Sequence, residues 1–207
     1  MLLGLLVVSA YFLGSIPFGL IIGLLWKGID IRKVGSGNIG ATNMMRVLGP
    51  GPGAVVFVLD VMKGFVPVIA AGRFAHGIHW FAVVVGMMAI VGHTLSLFLK
   101  FKGGKGVATS LGVLIGLDPM MAALAFGMWI LIVLITRYVS VASVIAVGSV
   151  IGMMFYHHSP VSYKAFAIVV WIFVLIKHRS NFKRLLEGNE PKFGQRVKTD
   201  IQEVKHG

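Results

Sequence analysis

The chain has 207 residues, 57% of them hydrophobic and 13% charged, and its mean hydropathy is +0.90. A soluble chain carries about a quarter charged residues, so this composition cannot build a water-facing surface and fits a bilayer instead. The charge that remains is lopsided, with 19 Lys and Arg against 7 Asp and Glu for a net +12. No soluble basic face is left for nucleic acid, and the absence of cysteine excludes disulfides, thiolate catalysis and Cys-based metal sites.

Apolar runs, measured against the roughly 20 residues a membrane helix needs, place seven spans near 2–26, 52–72, 78–99, 105–117, 119–136, 139–156 and 160–177, with a tail at 178–207. The expected fold is a single-domain, all-α integral membrane protein. Met1–Trp26 lacks a basic start and is too long an apolar run for a signal peptide, so it reads as a retained first span. Gly106–Thr136 can be one kinked helix or two helices parted at Asp118-Pro119. Two helices put sixteen basic residues on one side and two, Arg73 and Lys164, on the other, with Lys63 inside a span. The positive-inside rule therefore selects two helices, an external N-terminus and a cytoplasmic C-terminus. Gly19-x-x-x-Gly23, Gly112-x-x-x-Gly116 and Gly148-x-x-x-Gly152 predict close helix packing.

The first cytoplasmic loop reads Gly35-Ser36-Gly37-Asn38-Ile39-Gly40-Ala41-Thr42-Asn43, with Arg46 beyond it. Glycines let the backbone turn its N–H groups toward an anion, and the hydroxyls, amides and guanidinium add donors. The next runs from Gly92-His93 to Gly103-Gly104-Lys105-Gly106 and opens an apolar helix, whose free N–H groups suit phosphate. It is not a Walker A loop, because Leu99 stands six before Lys105 and Gly106 follows it. Lys100 serves topology alone, whereas Lys105 is a functional candidate.

After the last span, His178 and Asn181 are three apart and share a helix face. Lys183 and Arg184 fit lipid headgroups. Ser140 and Ser143 follow Arg137 at another cytoplasmic turn, where hydroxyls either meet a substrate or bond their own helix carbonyls. Asp60 and Lys63 lie within a span at i, i+3 and read as a structural neutral pair, although a proton-coupled transporter of phosphorylated metabolites would use such a pair too. A noncatalytic lipid-binding subunit is a third reading. His76, His79, His157 and His158 fall on the outer side as interfacial residues, with no acidic cluster to make a metal site.

These segments, in this order and spacing, resemble the PlsY family of bacterial glycerol-3-phosphate acyltransferases, integral-membrane enzymes that use acyl phosphate. The likeness runs from Gly14-Ser15-Ile16-Pro17 to Glu190 and includes Asp60-Val61-Met62-Lys63-Gly64 and His178-Arg179-Ser180-Asn181. A His-x4-Asp acyltransferase pair is absent, since Phe98 stands five after His93. The chain departs from the family at Ile39, often Pro, and at Leu95-Ser96, often Phe-Pro; neither position is expected to need a side-chain hydrogen bond.

The resemblance implies seven helices, an active site at the cytoplasmic face of the inner membrane, and acyl transfer to the 1-hydroxyl of glycerol 3-phosphate. It implies no metal and no cofactor. Ser36, Gly37, Asn38, Thr42, Gly103 and Gly104 are expected to hold acyl phosphate. Arg46, Lys105, Ser143, His178 and Asn181 are expected to hold glycerol 3-phosphate, with His178, Lys105 and Asn181 catalytic. Either His178 or a substrate phosphate oxygen takes the hydroxyl proton.

Overall fold

The structure, a computed structural model, describes residues 1–75 and 77–196. Ten α-helices lie among the described residues: α1 (Leu2–Ser15), α2 (Phe18–Lys27), α3 (Ala41–Leu48), α4 (Pro50–Phe74), α5 (His79–Thr94), α6 (Val107–Leu117), α7 (Pro119–Thr136), α8 (Val139–Tyr156), α9 (Val161–Lys177) and α10 (Arg179–Leu186). Their ends follow local chemistry. Pro50 and Pro119 take the first helical position, where a missing N–H costs nothing. Asp118 is extended, and its carboxylate accepts the Met121 N–H at 3.1 Å, so α6 and α7 are separate helices. Gly106 reaches φ 82°, a left-handed turn that opens α6.

Five helical segments are long and apolar enough to cross a membrane, or six if α9 and α10, bent by 52°, count as one. The first of them combines α1 and α2, which part at Pro17 because proline cannot donate to the helical ladder. The segment expected to span at 105–117 forms a shorter helix. The 11 residues of α6 rise about 16 Å, roughly half the hydrocarbon thickness.

Glycines set the tightest packing. A Cβ on Gly112 would enter the Val61 carbonyl, and one on Gly64 would enter that of Thr109, so α4 and α6 touch backbone to backbone. Gly19 meets the Ile39 backbone and Gly148 meets the Trp171 indole. Gly152 has nothing within 4 Å, which corrects the packing expected of it. The largest core joins α5 to α9 through Ile90, Val113, Met121, Met154 and Val174.

Two polar contacts fix which helix ends lie together. Tyr11 donates its hydroxyl to the Leu95 carbonyl at 2.9 Å, and Ser96 donates to the Ser15 carbonyl at 2.6 Å. The second contact is a correction, because the side chain of Ser96 carries a buried hydrogen bond that pins the α1–α2 break to the end of α5. At the opposite end, His79 Nδ1 lies 3.2 Å from the Tyr163 hydroxyl, and His157 and His158 are exposed. His76, Lys198 and Lys205 lie outside the described residues.

Candidate active site

A cavity of about 400 Å³ begins where the turns after α2, α5, α7 and α9 converge, and it extends between the helices. Its mouth is polar. Ser36, Asn38, Thr42 and Arg46 line it from the first loop and α3, and Lys105 lines it from the α5–α6 turn. Ser140 and Ser143 face it from α8, and His178, Asn181 and Glu190 from the end of the last span. Deeper, Phe57, Leu114, Trp129, Val150, Phe166 and Val170 make an apolar wall.

Glu190 organises the mouth. Its Oε1 accepts the Asn181 amide N–H at 2.7 Å and the Ser140 hydroxyl at 2.9 Å, while Oε2 accepts Arg184 Nε at 2.9 Å. Burial pushes this carboxyl up, but the bonds from Asn181, Ser140 and Arg184 outweigh burial and hold it below the ordinary range. The other end of the Asn181 amide, Oδ1, accepts a short hydrogen bond from Lys105 Nζ. Burial lowers the Lys105 ammonium to about 8, against an opposing pull from Glu190. Arg46 is buried, donates Nη2 to the Pro191 carbonyl at 3.0 Å and keeps Nε without a partner among the described residues. Arg46 lines the cavity with a side chain that stays charged at any physiological pH.

His178 caps α9 and is 3% exposed. Its Nδ1 lies 2.8 Å from the Val174 carbonyl, which makes that nitrogen the donor and leaves Nε2 as an acceptor. Burial lowers its pKa to about 4, with Lys105 adding to the effect, so the ring is neutral at pH 7.

The first loop is held by Asn43. Its amide nitrogen donates to the carbonyls of Ile31, Val34 and Asn38, and its Oδ1 accepts the Ser36 N–H at 2.8 Å. One buried side chain thus shapes the loop that carries Ser36, Asn38 and Thr42.

This arrangement has close counterparts. Residues 4–188 match the protein family described as glycerol-3-phosphate acyltransferase. The chain belongs to that family. It is 45% identical over 198 residues to the glycerol-3-phosphate acyltransferase of Synechococcus elongatus, covering 92% of this chain and 94% of the relative. It is 45% identical over 188 residues to that of Aquifex aeolicus, covering 91% and 97%. Two solved structures share the fold, both of PlsY (YgiH), an integral membrane glycerol 3-phosphate acyltransferase. The glycerol 3-phosphate form superposes with a TM-score of 0.89 at 45% identity, and the lysophosphatidic acid form with 0.86 at 43%. Each comparison covers 94% of this chain and 96% of the other.

The cavity gathers most of the residues expected from the sequence and leaves some aside. Gly37 donates its N–H to Val34, Gly103 to Thr94 and Gly104 to His93. These three N–H groups are therefore spent on folding the turns, and none of the three glycines lines the cavity. Gly106, Val107 and Ala108 line it instead, at the N-terminus of α6, where the first N–H groups of a helix lack intrahelical partners. Ser143 reaches the wall, but its proton goes to the Val139 carbonyl at 2.8 Å and its oxygen accepts Trp129 Nε1 at 3.2 Å.

Glu190 was not expected here, and Ser140, left open between a substrate and its own helix, donates to Glu190 instead. A carboxylate in a basic tail reads as solvated, and only the chain's return over the mouth reveals the bonds of Glu190. Asp60 and His93 also line the cavity. Lys63 Nζ sits 2.8 Å from Asp60 Oδ1 and donates to the Ile16 carbonyl at 2.9 Å, and His93 Nδ1 lies 3.6 Å from the same Asp60 oxygen. The partnership with His93 was invisible because the two residues lie on successive helices, α4 and α5, and meet only once those helices pack.

Proposed function

We propose that the enzyme transfers an acyl group from acyl phosphate to the 1-hydroxyl of glycerol 3-phosphate, giving 1-acylglycerol 3-phosphate and phosphate, the first acylation of phospholipid biosynthesis. The chain is a multi-pass membrane acyltransferase. The observation that carries the substrate assignment is the division of one cavity into a cationic mouth and an apolar interior. Two phosphate groups need Arg46, Lys105 and the α6 N-terminus, and an acyl chain needs the wall from Leu114 to Phe166.

Acyl phosphate is a mixed anhydride and already activated, so no covalent enzyme intermediate is required. Glycerol 3-phosphate is held by Arg46, Lys105 and Asn181, with its 1-hydroxyl donating to His178 Nε2. Ser36, Asn38 and Thr42 face the acyl phosphate, assisted by the backbone at Gly106–Ala108. The hydroxyl oxygen attacks the acyl carbonyl, an ester C–O bond forms, and the carbonyl C–O bond to phosphate breaks. His178, with its proton affinity lowered to about 4, orients the hydroxyl, and the proton leaves on an oxygen of the departing phosphate. Lys105 and Arg46 stabilise charge on the phosphates through the transition state.

The membrane arrangement is part of the proposal. Seven segments cross, with α6 as the short one, and the mouth faces the cytoplasm of the inner membrane. Basic residues crowd the cavity end, whereas Arg73 and Lys164 mark the other, and this supports the orientation. Acyl phosphate reaches the interior sideways from lipid. The test is the purified protein with acyl phosphate and labelled glycerol 3-phosphate. An acylated, solvent-extractable product supports the reading, and its absence with uptake into proteoliposomes overturns it in favour of transport.

A further inference from the structure

The acyl-transfer reading leaves a buried charged group unused. Asp60 on α4, Lys63 one turn along and His93 on α5 are each no more than 4% exposed, at a depth where an ionisable side chain is costly. A packing role explains the Asp60–Lys63 contact, yet it does not explain why Asp60 and His93 both line the cavity. Nor does it explain His93 Nδ1, which is fully buried beside Asp60 and has no hydrogen-bond partner within 3.5 Å among the described residues.

The turn carrying Lys105 rests on His93. The Gly104 N–H donates to the His93 carbonyl at 3.1 Å, and the imidazole lies so close to Gly104 that a Cβ there would run into Nε2. The next residue is Lys105, which reaches Asn181 and through it Glu190. Hydrogen bonds therefore link the Ile16 carbonyl to Lys63 and Asp60, a 3.6 Å approach brings Asp60 to the His93 ring, and the ring packs against Gly104, the residue before Lys105.

Building on the acyl-transfer reading, we propose that Asp60 and His93 are positioning residues for glycerol 3-phosphate binding: Asp60 orients the His93 ring, and the ring sets the Gly104–Lys105 turn and thus the place of the ammonium. Lys63 supplies the positive charge that makes a carboxylate tolerable at that depth. Neither residue needs to touch the reacting atoms.

Two variants test this in enzyme that turns over both substrates, so a failure of the acyl-transfer reading shows first, as inactive wild type. Asp60→Asn/Lys63→Met removes both charges together and leaves no buried charge unpaired. His93→Gln removes the ring and keeps the ion pair, so it serves even where the double variant does not fold. In each folded variant the KM for glycerol 3-phosphate is expected to rise about tenfold while kcat changes less than about threefold. A folded variant of either kind that keeps the wild-type KM overturns the inference, because a merely structural ion pair does not move that constant selectively.

Discussion

Lys105 and Asn181, 76 positions apart in the chain, join at the cavity mouth through the lysine ammonium and the amide oxygen. The contact ties the turn before α6 to the segment after the last span, and it leaves the ammonium two further N–H donors. A charge-assisted hydrogen bond to a phosphate contributes about 1.5–3 kcal/mol. Lys105→Met is therefore expected to lower kcat/KM for glycerol 3-phosphate by roughly 10- to 150-fold, measured by steady-state turnover in detergent.

The charge of Lys105 also sets a pH limit. Its ammonium is held near 8, and the protonated form binds phosphate. kcat/KM for glycerol 3-phosphate is expected to be flat between about pH 7 and about pH 8, then to fall about tenfold per unit as the proton is lost. In Lys105→Arg the fall disappears, because arginine keeps its proton throughout this range. A pH profile of both proteins checks this.

His178 adds a stability effect at the acid side. Its folded pKa is depressed to about 4 from an ordinary value near 6.5, so unfolded chain binds the proton first on acidification. The stabilisation is complete above about pH 6.5 and is lost progressively as pH falls to about 4. The apparent unfolding midpoint is expected to drop across that window in the wild type and to drop less in His178→Asn. The same variant tests the orienting role, since loss of a general base costs about 10²–10⁴ in rate, whereas loss of an orienting acceptor costs less. kcat of His178→Asn at saturating glycerol 3-phosphate is expected within about 100-fold of the wild type.

Glu190 holds three donors at once, from Asn181, Ser140 and Arg184. Glu190→Ala leaves those groups unpaired at the mouth, at a cost of about 1–3 kcal/mol for each buried group. The variant is expected to unfold at a lower temperature and to lose activity, and Glu190→Gln to keep more of both. Thermal unfolding with parallel turnover assays measures each.

The apolar interior gives a separate handle. Ala146 faces the cavity between Ser143 at the mouth and Val150 below. Ala146→Phe is expected to cut kcat/KM for long-chain acyl phosphates at least tenfold more than for short-chain ones, read from a donor-length series. An equal loss at every length would place the acyl chain elsewhere.

Much of this site was legible before any coordinates. Arg46, Lys105, His178 and Asn181 all line the cavity, and each carries a local sign in the sequence: a glycine-rich turn beside Arg46 and Lys105, and a helix spacing of three between His178 and Asn181. Residues whose role depends on distant partners were not legible. Gly103 and Gly104 looked like a phosphate cradle, but α5 carbonyls already hold their N–H groups. Ser96 looked idle until its bond to Ser15 across the α1–α2 break appeared. The break itself hid inside a continuous apolar run, where hydropathy carries no sign of a proline that parts two helices.

The most direct measurement is product stoichiometry in the purified protein. With acyl phosphate and glycerol 3-phosphate, one 1-acylglycerol 3-phosphate is expected per phosphate released, and Lys105→Met is expected to reduce both together. Phosphate release without ester formation, or full ester formation by Lys105→Met at low glycerol 3-phosphate, would contradict acyl transfer at this cationic mouth.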